Sequence, residues 1–251
     1  MGFVDVHCHL NDEEFDKDLE KVIEDALKAG VEKIVDCALD VEEVEKSFRI
    51  QERFPDVILV SVGFDPVNDD EKEFREILSL IKEEKDRIVA IGEVGLDFYW
   101  EKDDAKRELQ KERFREFIKL SKELDKPLIC HSRSAGKYAI DILIEEGAKK
   151  VIMHAFDGRA SHAVRGAQHG FYFSIPPSIV RSHQKEKVVM RISVDKLLLE
   201  SDAPVLAPNP RERNEPKNVI ISAKKIAEIK KIEFNRLEKI LRLNTKLILG
   251  I

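Results

Sequence analysis

The chain of 251 residues contains few cysteines, a single tryptophan and no apolar segment long enough to span a membrane. Its cysteines, Cys8, Cys37 and Cys130, show no disulfide-framework spacing. Because each lies in an apolar, strand-like segment, we expect buried free thiols in a reducing cytoplasm. The first residues lack a basic segment followed by a long apolar run, so no signal peptide is predicted.

The chain also lacks an excess of positive charge. Lys and Arg number 43 and Asp and Glu number 49, which gives a net charge of −6. This balance argues against electrostatic binding along long duplex DNA, which needs a basic stripe. The net negative charge is still compatible with a nuclease that holds a few phosphates locally through metal ions and arginine. No linker rich in Pro, Gly or Ser interrupts the chain, so residues 1–251 are predicted to form one domain.

Apolar segments rich in β-branched residues alternate with charged segments of helical spacing along the whole chain. The predicted strands lie at 3–6, 31–37, 57–62, 88–91, 127–130, 150–153, 171–175 and 196–199. This alternation predicts a (β/α)8 TIM barrel, with a doubly wound parallel sheet as the alternative. The proline-rich segment Ala203–Pro216 is expected to be an ordered loop after the last strand.

Three helical segments are predicted from their apolar spacing. Segment 104–124 forms one helix, and segment 217–249 forms two helices that meet near Phe234. The third segment ends at Gly30, and its expected buried face consists of Phe15, Leu19, Val22, Ile23, Ala26 and Leu27.

His7-Cys8-His9 follows the first apolar segment. In an extended strand, side chains two positions apart share a face, so His7 and His9 are expected to project together while Cys8 points away. Two imidazoles on one face can chelate a divalent metal. Alone, the pattern fits a packed or hydrogen-bonded histidine pair equally well.

Further side chains of ligand type stand at the ends of later predicted strands. Glu93, His131, His154 and Asp202 follow strands four, five, six and eight. In a barrel these strand ends converge on one mouth, where catalytic residues gather. Each alone is more often a turn or hydrogen-bonded residue, but their shared position favours a metal site. The remaining histidines, His162, His169 and His183, are expected on the solvated surface.

The chain resembles the TatD family of metal-dependent hydrolases and deoxyribonucleases, which belongs to the amidohydrolase-like barrels. The resemblance runs along the whole chain in six ordered motifs. These motifs are Val4-Asp5-Val6-His7-Cys8-His9-Leu10, Gly92-Glu93-Val94-Gly95-Leu96-Asp97-Phe98-Tyr99, His131-Ser132-Arg133, His154-Ala155-Phe156, Glu200-Ser201-Asp202-Ala203-Pro204 and Arg213-Asn214-Glu215-Pro216.

The resemblance implies a binuclear divalent metal centre bridged by Glu93. His7, His9 and Asp202 would bind one metal, and His131 and His154 would bind the other. The ions would be Mg²⁺, Mn²⁺ or Zn²⁺, and Glu93 and Asp202 would be the catalytic carboxylates. The implied activity is that of a deoxyribonuclease, a 3′-5′ exonuclease-like phosphodiesterase acting on single-stranded DNA or strand ends.

Substrate contacts are expected from the side chains that follow the ligand motifs. Arg133 stands two residues beyond His131, and its planar guanidinium suits a phosphate. A surface ion pair explains Arg133 equally well. Tyr99 is a candidate for stacking on an unpaired base, whereas Phe98 is expected to plug the loop. Arg213 is a weaker candidate for substrate binding, because its motif also suits fixing of a loop.

Two other functions stay open from the sequence. The same ligands activate water against carbonyl groups, which suits an amidohydrolase or lactonase acting on a small molecule. A weakly catalytic metal-bound barrel with an interaction or quality-control role is the other alternative. The chain departs from the family pattern at Asn11, Asp65, Asp157 and Val205, which are not expected metal ligands.

Overall fold

The computed structural model describes residues 2–251 and contains one sheet of parallel strands in sequential order. The strands are β1 (Phe3–Cys8), β2 (Val31–Ala38), β3 (Ile58–Val62), β4 (Ile88–Gly95), β5 (Leu128–His131), β6 (Val151–Met153), β7 (Tyr172–Ile175) and β8 (Leu197–Leu199). Every neighbouring pair from β1 to β8 is parallel. Parallel neighbours need a crossover connection, which helices supply here.

Helices follow the strands and cover the outside of the sheet. They are α1 (Leu19–Lys28), α2 (Val41–Arg53), α3 (Glu71–Glu83), α4 (Asp104–Leu124), α5 (Gly136–Glu145), α6 (Ala160–Gln168), α7 (His183–Arg191), α8 (Val219–Lys230) and α9 (Phe234–Leu249). Aspartates begin α2, α3 and α4, because the carboxylates of Asp40, Asp70 and Asp103 accept otherwise unpaired amides of the first turn.

The ends of the sheet meet between β1 and the segment after β8. The Asp202 amide donates to the His7 carbonyl (2.9 Å), and the His9 amide donates to the Ala203 carbonyl (2.8 Å). Below them, the buried Asp5 carboxylate accepts both the amide (2.8 Å) and the hydroxyl (2.5 Å) of Ser201. These bonds close the barrel at the same end as the predicted ligands.

Two apolar layers pack against the strands. Inside the barrel lie Val4, Val6, Val35, Ala90, Ile129, Ile152 and Leu198, with Ile248 and Leu249 of α9 packed against them. A larger layer fills the space between the strands and the helices, and its bulkiest buried side chains include Phe74, Phe114 and Phe173. The barrel interior is therefore a packed core, and the predicted ligands gather at its carboxyl end.

The predicted TIM barrel is confirmed, and the doubly wound alternative is wrong. Helix α4 has the predicted bounds, α8 and α9 divide the last segment at Phe234, and the three cysteines are buried and free. The expected buried face of α1 is wrong at one position, because Leu27 is 44% exposed. Phe15 is buried but belongs to a separate short 3-10 turn before α1. None of the helices in residues 2–251 has the length and apolar character needed to cross a membrane.

Candidate metal centre

A β-bulge in β1 directs the first two histidines into the barrel. Asp5 pairs with Ile34 of β2, but Cys8 pairs with Asp36, so β1 carries one extra residue between these pairs. Val4 and Val6 therefore point into the barrel before the irregularity, and His7 and His9 point into it at the carboxyl end of the strand. The rings of His7 and His9 lie 4.9 Å apart, while the Cys8 thiol points away and donates to the Val35 carbonyl.

Glu93 lies within β4, where glycines allow an unusually close approach of neighbouring strands. A Cβ atom at Gly92, whose φ is +148°, would lie 2.6 Å from the Ile129 side chain. A Cβ atom at Gly63 would lie 2.0 Å from the Glu93 carbonyl oxygen. Only glycine fits at these two positions, so the backbone that carries Glu93 is held tightly between β3 and β5.

The carboxylate of Glu93 faces a different histidine pair with each of its oxygens. Oε2 lies 3.1 Å from His7 Nε2 and 3.5 Å from His9 Nε2. Oε1 contacts His131 Nδ1 and lies 3.7 Å from His154 Nε2. One carboxylate thus stands between two pairs of imidazole nitrogens, which is the arrangement that a bridging ligand requires.

Asp202 completes the cluster from the segment after β8. Its Oδ1 lies 3.3 Å from His7 Nε2 and 3.8 Å from His9 Nε2, and its Oδ2 lies 3.9 Å from His154 Nε2. The backbone of Asp202 is left-handed, with φ of 57°, a conformation that aspartate tolerates better than most residues. The structure thus brings together the six residues predicted from the strand ends.

These six residues suit a divalent metal because some of their nitrogen and oxygen ligand atoms have no other partner. Within residues 2–251, three overlapping groups place their ligand atoms within 4.8 Å of one another, and Glu93 belongs to two of them. The buried His7 Nε2 and His131 Nδ1 have no hydrogen-bond partner in this part of the chain. Buried polar atoms without partners are costly, and both atoms face carboxylate oxygens that a cation would join to them.

Each imidazole is held through its other nitrogen. His154 Nδ1 donates to Glu200 Oε2 (2.8 Å), and His131 Nε2 donates to Asp97 Oδ2 (3.1 Å). His9 Nδ1 donates to the Cys37 carbonyl (3.0 Å), and His7 Nδ1 lies 3.0 Å from the Cys37 sulfur. Such partners fix the ring orientation and leave the opposite nitrogen free for a metal.

Two of these supporting residues were not singled out from the sequence. Asp97 stands four positions after Glu93 in the same motif. A second carboxylate so close to a predicted ligand is the feature of the sequence that could have indicated its supporting role. Cys37 was predicted only as a buried thiol. Glu200 stands two positions before Asp202 in the same motif, and the structure places it against His154.

The charges of the cluster shift its pKa values in opposite directions. Burial acts to raise the pKa of Glu93, but the facing imidazoles of His154 and His131 lower it well below its usual range. Burial acts to lower the pKa of His131, but the Glu93 and Asp97 carboxylates raise it to about 10. Burial also acts to raise the pKa of Asp202, which the surrounding imidazoles lower. In the metal-free cluster these shifts favour ionised carboxylates at Glu93 and Asp202 and a protonated imidazole at His131.

The family model described as "TatD related DNase" matches residues 4–250. The chain belongs to the TatD family. It is 42% identical to the human protein named "Deoxyribonuclease TATDN3", with 98% of this chain and 93% of the relative covered. It is 39% identical to the metal-dependent hydrolase YabD of Bacillus subtilis, with 96% of each chain covered. The crystal structure of the TatD homologue YjjV from Escherichia coli superposes with a TM-score of 0.91 at 25% identity, covering 99% of this chain and 98% of that chain.

This TatD chain is therefore a metal-dependent hydrolase acting on ester bonds. A cavity of about 490 Å³ opens above the ligand cluster. Its lining contains five of the six predicted ligands and adds Ser132, Arg133, Ala155, Asp157, Lys185, Val205 and Leu206. Cavities of this size hold small molecules or single nucleotide units rather than a duplex.

Of the predicted substrate contacts, Arg133 lines the TatD cavity and Tyr99 packs beside it. The guanidinium carbon of Arg133 lies 4.0 Å from the centre of the Tyr99 ring and 5.5 Å from that of Trp100. Tyr99 is 47% exposed and Trp100 66% exposed. Phe98 is buried against Tyr138, as expected for a plug. Arg133 has no carboxylate partner in residues 2–251, so the surface ion pair considered for it does not form.

Arg213 lies apart from the cavity. Its guanidinium donates to both carboxylate oxygens of Asp18 (2.9 and 2.7 Å) and to Glu215 (3.3 Å), and it stacks over Phe15. These partners hold the long loop after β8 against the start of α1. The structure thus favours the loop-fixing role of Arg213 over substrate binding.

The departures from the TatD pattern lie around the site. Asn11 is buried and donates to the Cys37 carbonyl (2.9 Å), and Asp157 accepts from the Ser134 amide (2.7 Å) at the cavity wall. Burial raises the pKa of Asp65, which lies in the electrostatic field of Glu93 and His131. Val205 is 55% exposed at the cavity lip. Lys185 of α7 also lines the cavity, although no motif in the sequence marks it as a site residue.

Proposed function

We propose that this hydrolase is a deoxyribonuclease, a 3′-5′ exonuclease-like phosphodiesterase with a binuclear divalent metal centre. The observation that carries the proposal is the division of the Glu93 carboxylate between two histidine pairs. Family membership and the human relative named as a deoxyribonuclease support DNA as the substrate.

The proposed ligand assignment follows the contacts of Glu93. His7, His9 and Asp202 would hold one cation, His131 and His154 would hold the other, and Glu93 would serve both. Mg²⁺, Mn²⁺ and Zn²⁺ suit this mixed nitrogen and oxygen set. When bound, two such ions lower the pKa of water and stabilise the attacking and leaving oxygens of phosphodiester cleavage.

The protein's own part in the reaction falls mainly on Asp202. Its pKa is lowered by the surrounding imidazoles, so the carboxylate is ionised at neutral pH and can accept the proton of the attacking water. The Ser201 and Asp202 segment is bonded to β1, which holds this carboxylate in place while the proton moves. Glu93, which lies between the histidine pairs, is fixed too tightly to serve as a mobile base.

The cavity mouth supports a strand end as the substrate. Arg133 offers a planar cation to a phosphate, and the exposed Tyr99 and Trp100 rings beside it offer stacking surfaces to an unpaired base. The net charge of −6 disfavours long contacts along a duplex. We therefore assign single-stranded DNA and frayed ends as the preferred substrates.

Cleavage of end-labelled single- and double-stranded oligonucleotides with Mg²⁺ or Mn²⁺ tests this function. Wild-type protein is expected to shorten single strands from the 3′ end. Asp202→Asn is expected to lower kcat by at least about 100-fold because it removes the proton acceptor. His183→Ala, whose side chain is 95% exposed, is the matched control and should cleave normally.

Three outcomes would overturn the assignment. Unchanged cleavage by a variant that combines His131→Ala with Asp202→Asn would show that the activity does not come from this site. Activity confined to ester, lactone or amide substrates would replace the deoxyribonuclease with a small-molecule hydrolase. Stoichiometric partner capture without any cleavage would favour the interaction role.

A further inference from the structure

Lys185 places a cation at the cavity from a different side of the barrel than Arg133. It lies in the first turn of α7, after β7, whereas Arg133 follows β5. The start of α7 is fixed to the loop after β6, because Gln184 Nε2 donates to the carbonyls of Phe156 (3.2 Å) and Gly158 (2.6 Å). The position of Lys185 is therefore built into the fold.

The ammonium group of Lys185 has little to neutralise it. Its Nζ donates to the Ala155 carbonyl (3.1 Å), and no carboxylate oxygen in residues 2–251 forms an ion pair with it. Burial lowers the pKa of Lys185, although the more distant carboxylates of Glu200, Asp157 and Asp202 act in the opposite direction. A partly buried ammonium has three donors, and two of them stay available to an anion in the cavity.

The lysine also stands outside the ligand cluster. Asp202 contacts the histidines but forms no ion pair with Lys185, so this cation does not belong to the group that would surround the metals. Both line the same cavity. A substrate with one phosphate at the metals therefore has room to bring a second anion to Lys185.

On this basis, and resting on the proposed nuclease function, we propose that Lys185 binds the phosphate next to the one that is cleaved. The site then selects an oligonucleotide with two consecutive phosphates at its reacting end over a substrate with one phosphate. A compact ammonium suits a single phosphate oxygen, whereas Arg133 suits planar and stacked contacts at the mouth.

A double-mutant-type cycle, which combines a change in the protein with a change in the substrate, tests whether Lys185 binds this phosphate. Wild-type protein, Lys185→Met and Lys187→Met act on a single-stranded trinucleotide whose linkage next to the cleaved one is either natural or an uncharged methylphosphonate. Lys187 is exposed on the same helix and serves as the control. The methylphosphonate is expected to lower kcat/KM of the wild type and of Lys187→Met by about 10-fold, mainly through KM.

Lys185→Met is expected to lose the same factor on the natural trinucleotide and to lose nothing more with the methylphosphonate. Lys185→Arg should restore part of the loss. The same coupling should appear in binding, measured by fluorescence anisotropy of the labelled trinucleotide in EDTA, where no metal-dependent cleavage occurs.

If the losses in kcat/KM caused by Lys185→Met and by the methylphosphonate multiply when the two changes are combined, Lys185 does not bind the second phosphate. A loss confined to kcat that disappears with a p-nitrophenyl leaving group would make Lys185 a proton donor instead. Equal losses on both substrates together with a lower unfolding temperature would give it a structural role on the Ala155 loop. Losses that multiply would disprove the role of Lys185 but leave the proposed nuclease function unaffected. If the wild type cleaves no oligonucleotide at all, the proposed nuclease function itself is wrong.

Discussion

The backbone amide of Asp202 donates to the carbonyl of His7 at 2.9 Å. The first and the last of the predicted metal ligands are thus joined directly across the seam where the barrel closes. Because a cation held by both side chains would span the same seam, metal binding and barrel closure are coupled. This coupling has consequences for stability as well as for catalysis.

We expect divalent metal to raise the unfolding temperature of the protein. A ligand that binds only the folded state at 100 times its Kd stabilises by about 2.7 kcal/mol. Differential scanning calorimetry with Mn²⁺ or Zn²⁺ and with EDTA measures this difference. His131→Ala should reduce the increase, and His183→Ala should leave it unchanged. An unfolding temperature that does not respond to metal would contradict the proposed centre.

Glu200→Gln should weaken metal binding by about 10- to 100-fold, as removal of such supporting partners does. Glu200 accepts from His154 Nδ1 (2.8 Å), from the Ala155 amide (2.8 Å) and from the Ser174 hydroxyl (2.5 Å). The neutral amide loses the charge that orients the His154 ring. Competition with a fluorescent chelator gives the affinity. Wild-type affinity in a folded Glu200→Gln variant would rule out this orienting role.

Metal binding should release protons and become tighter as the pH rises. The metal-free fold raises the pKa of His131 to about 10 from its usual 6.5, so its protonated ring stabilises that fold fully below pH 6.5. This contribution is lost as the pH rises through about 10. A metal binds only the neutral ring, so affinity should rise across this window by up to about tenfold per pH unit for each proton released.

Calorimetric titration of metal in two buffers of different ionisation enthalpy measures the protons released. Glu93 and Asp202 should contribute none at neutral pH, because their pKa values are already lowered. Binding heats that are independent of the buffer would show that the imidazoles are neutral before the metal arrives.

Arg133→Ala and Arg213→Ala form a matched pair with opposite expected effects. Arg133 lines the cavity and stacks on Tyr99, so its loss should raise KM for single-stranded DNA by about 10-fold with little change in unfolding temperature. Arg213 is paired with Asp18 and Glu215, so its loss should lower the unfolding temperature and leave KM unchanged. Steady-state kinetics and thermal unfolding separate the two, and a reversed result would exchange their roles.

The barrel and the ligand cluster follow from the sequence because strand ends can be located from apolar runs, and a barrel brings all its strand ends together. Side chains beyond those ends are less predictable. Arg213 is already the weaker substrate candidate in the sequence, but its ion-pair partner Asp18, nearly 200 residues away, can be identified only in the structure. Lys185 lies in the first turn of a charged helix, where nothing local distinguishes it from its exposed neighbour Lys187.

The extra residue in β1 makes the site depend on strand register as well as on residue identity. The bulge places one more residue of β1 than of β2 between the pairs Asp5–Ile34 and Cys8–Asp36. Without the bulge, strict alternation from Val4 and Val6 would direct Cys8 into the barrel and turn His7 and His9 toward the helices. A relative with the same histidine motif but a regular register between β1 and β2 would therefore share the motif and the fold without the metal centre.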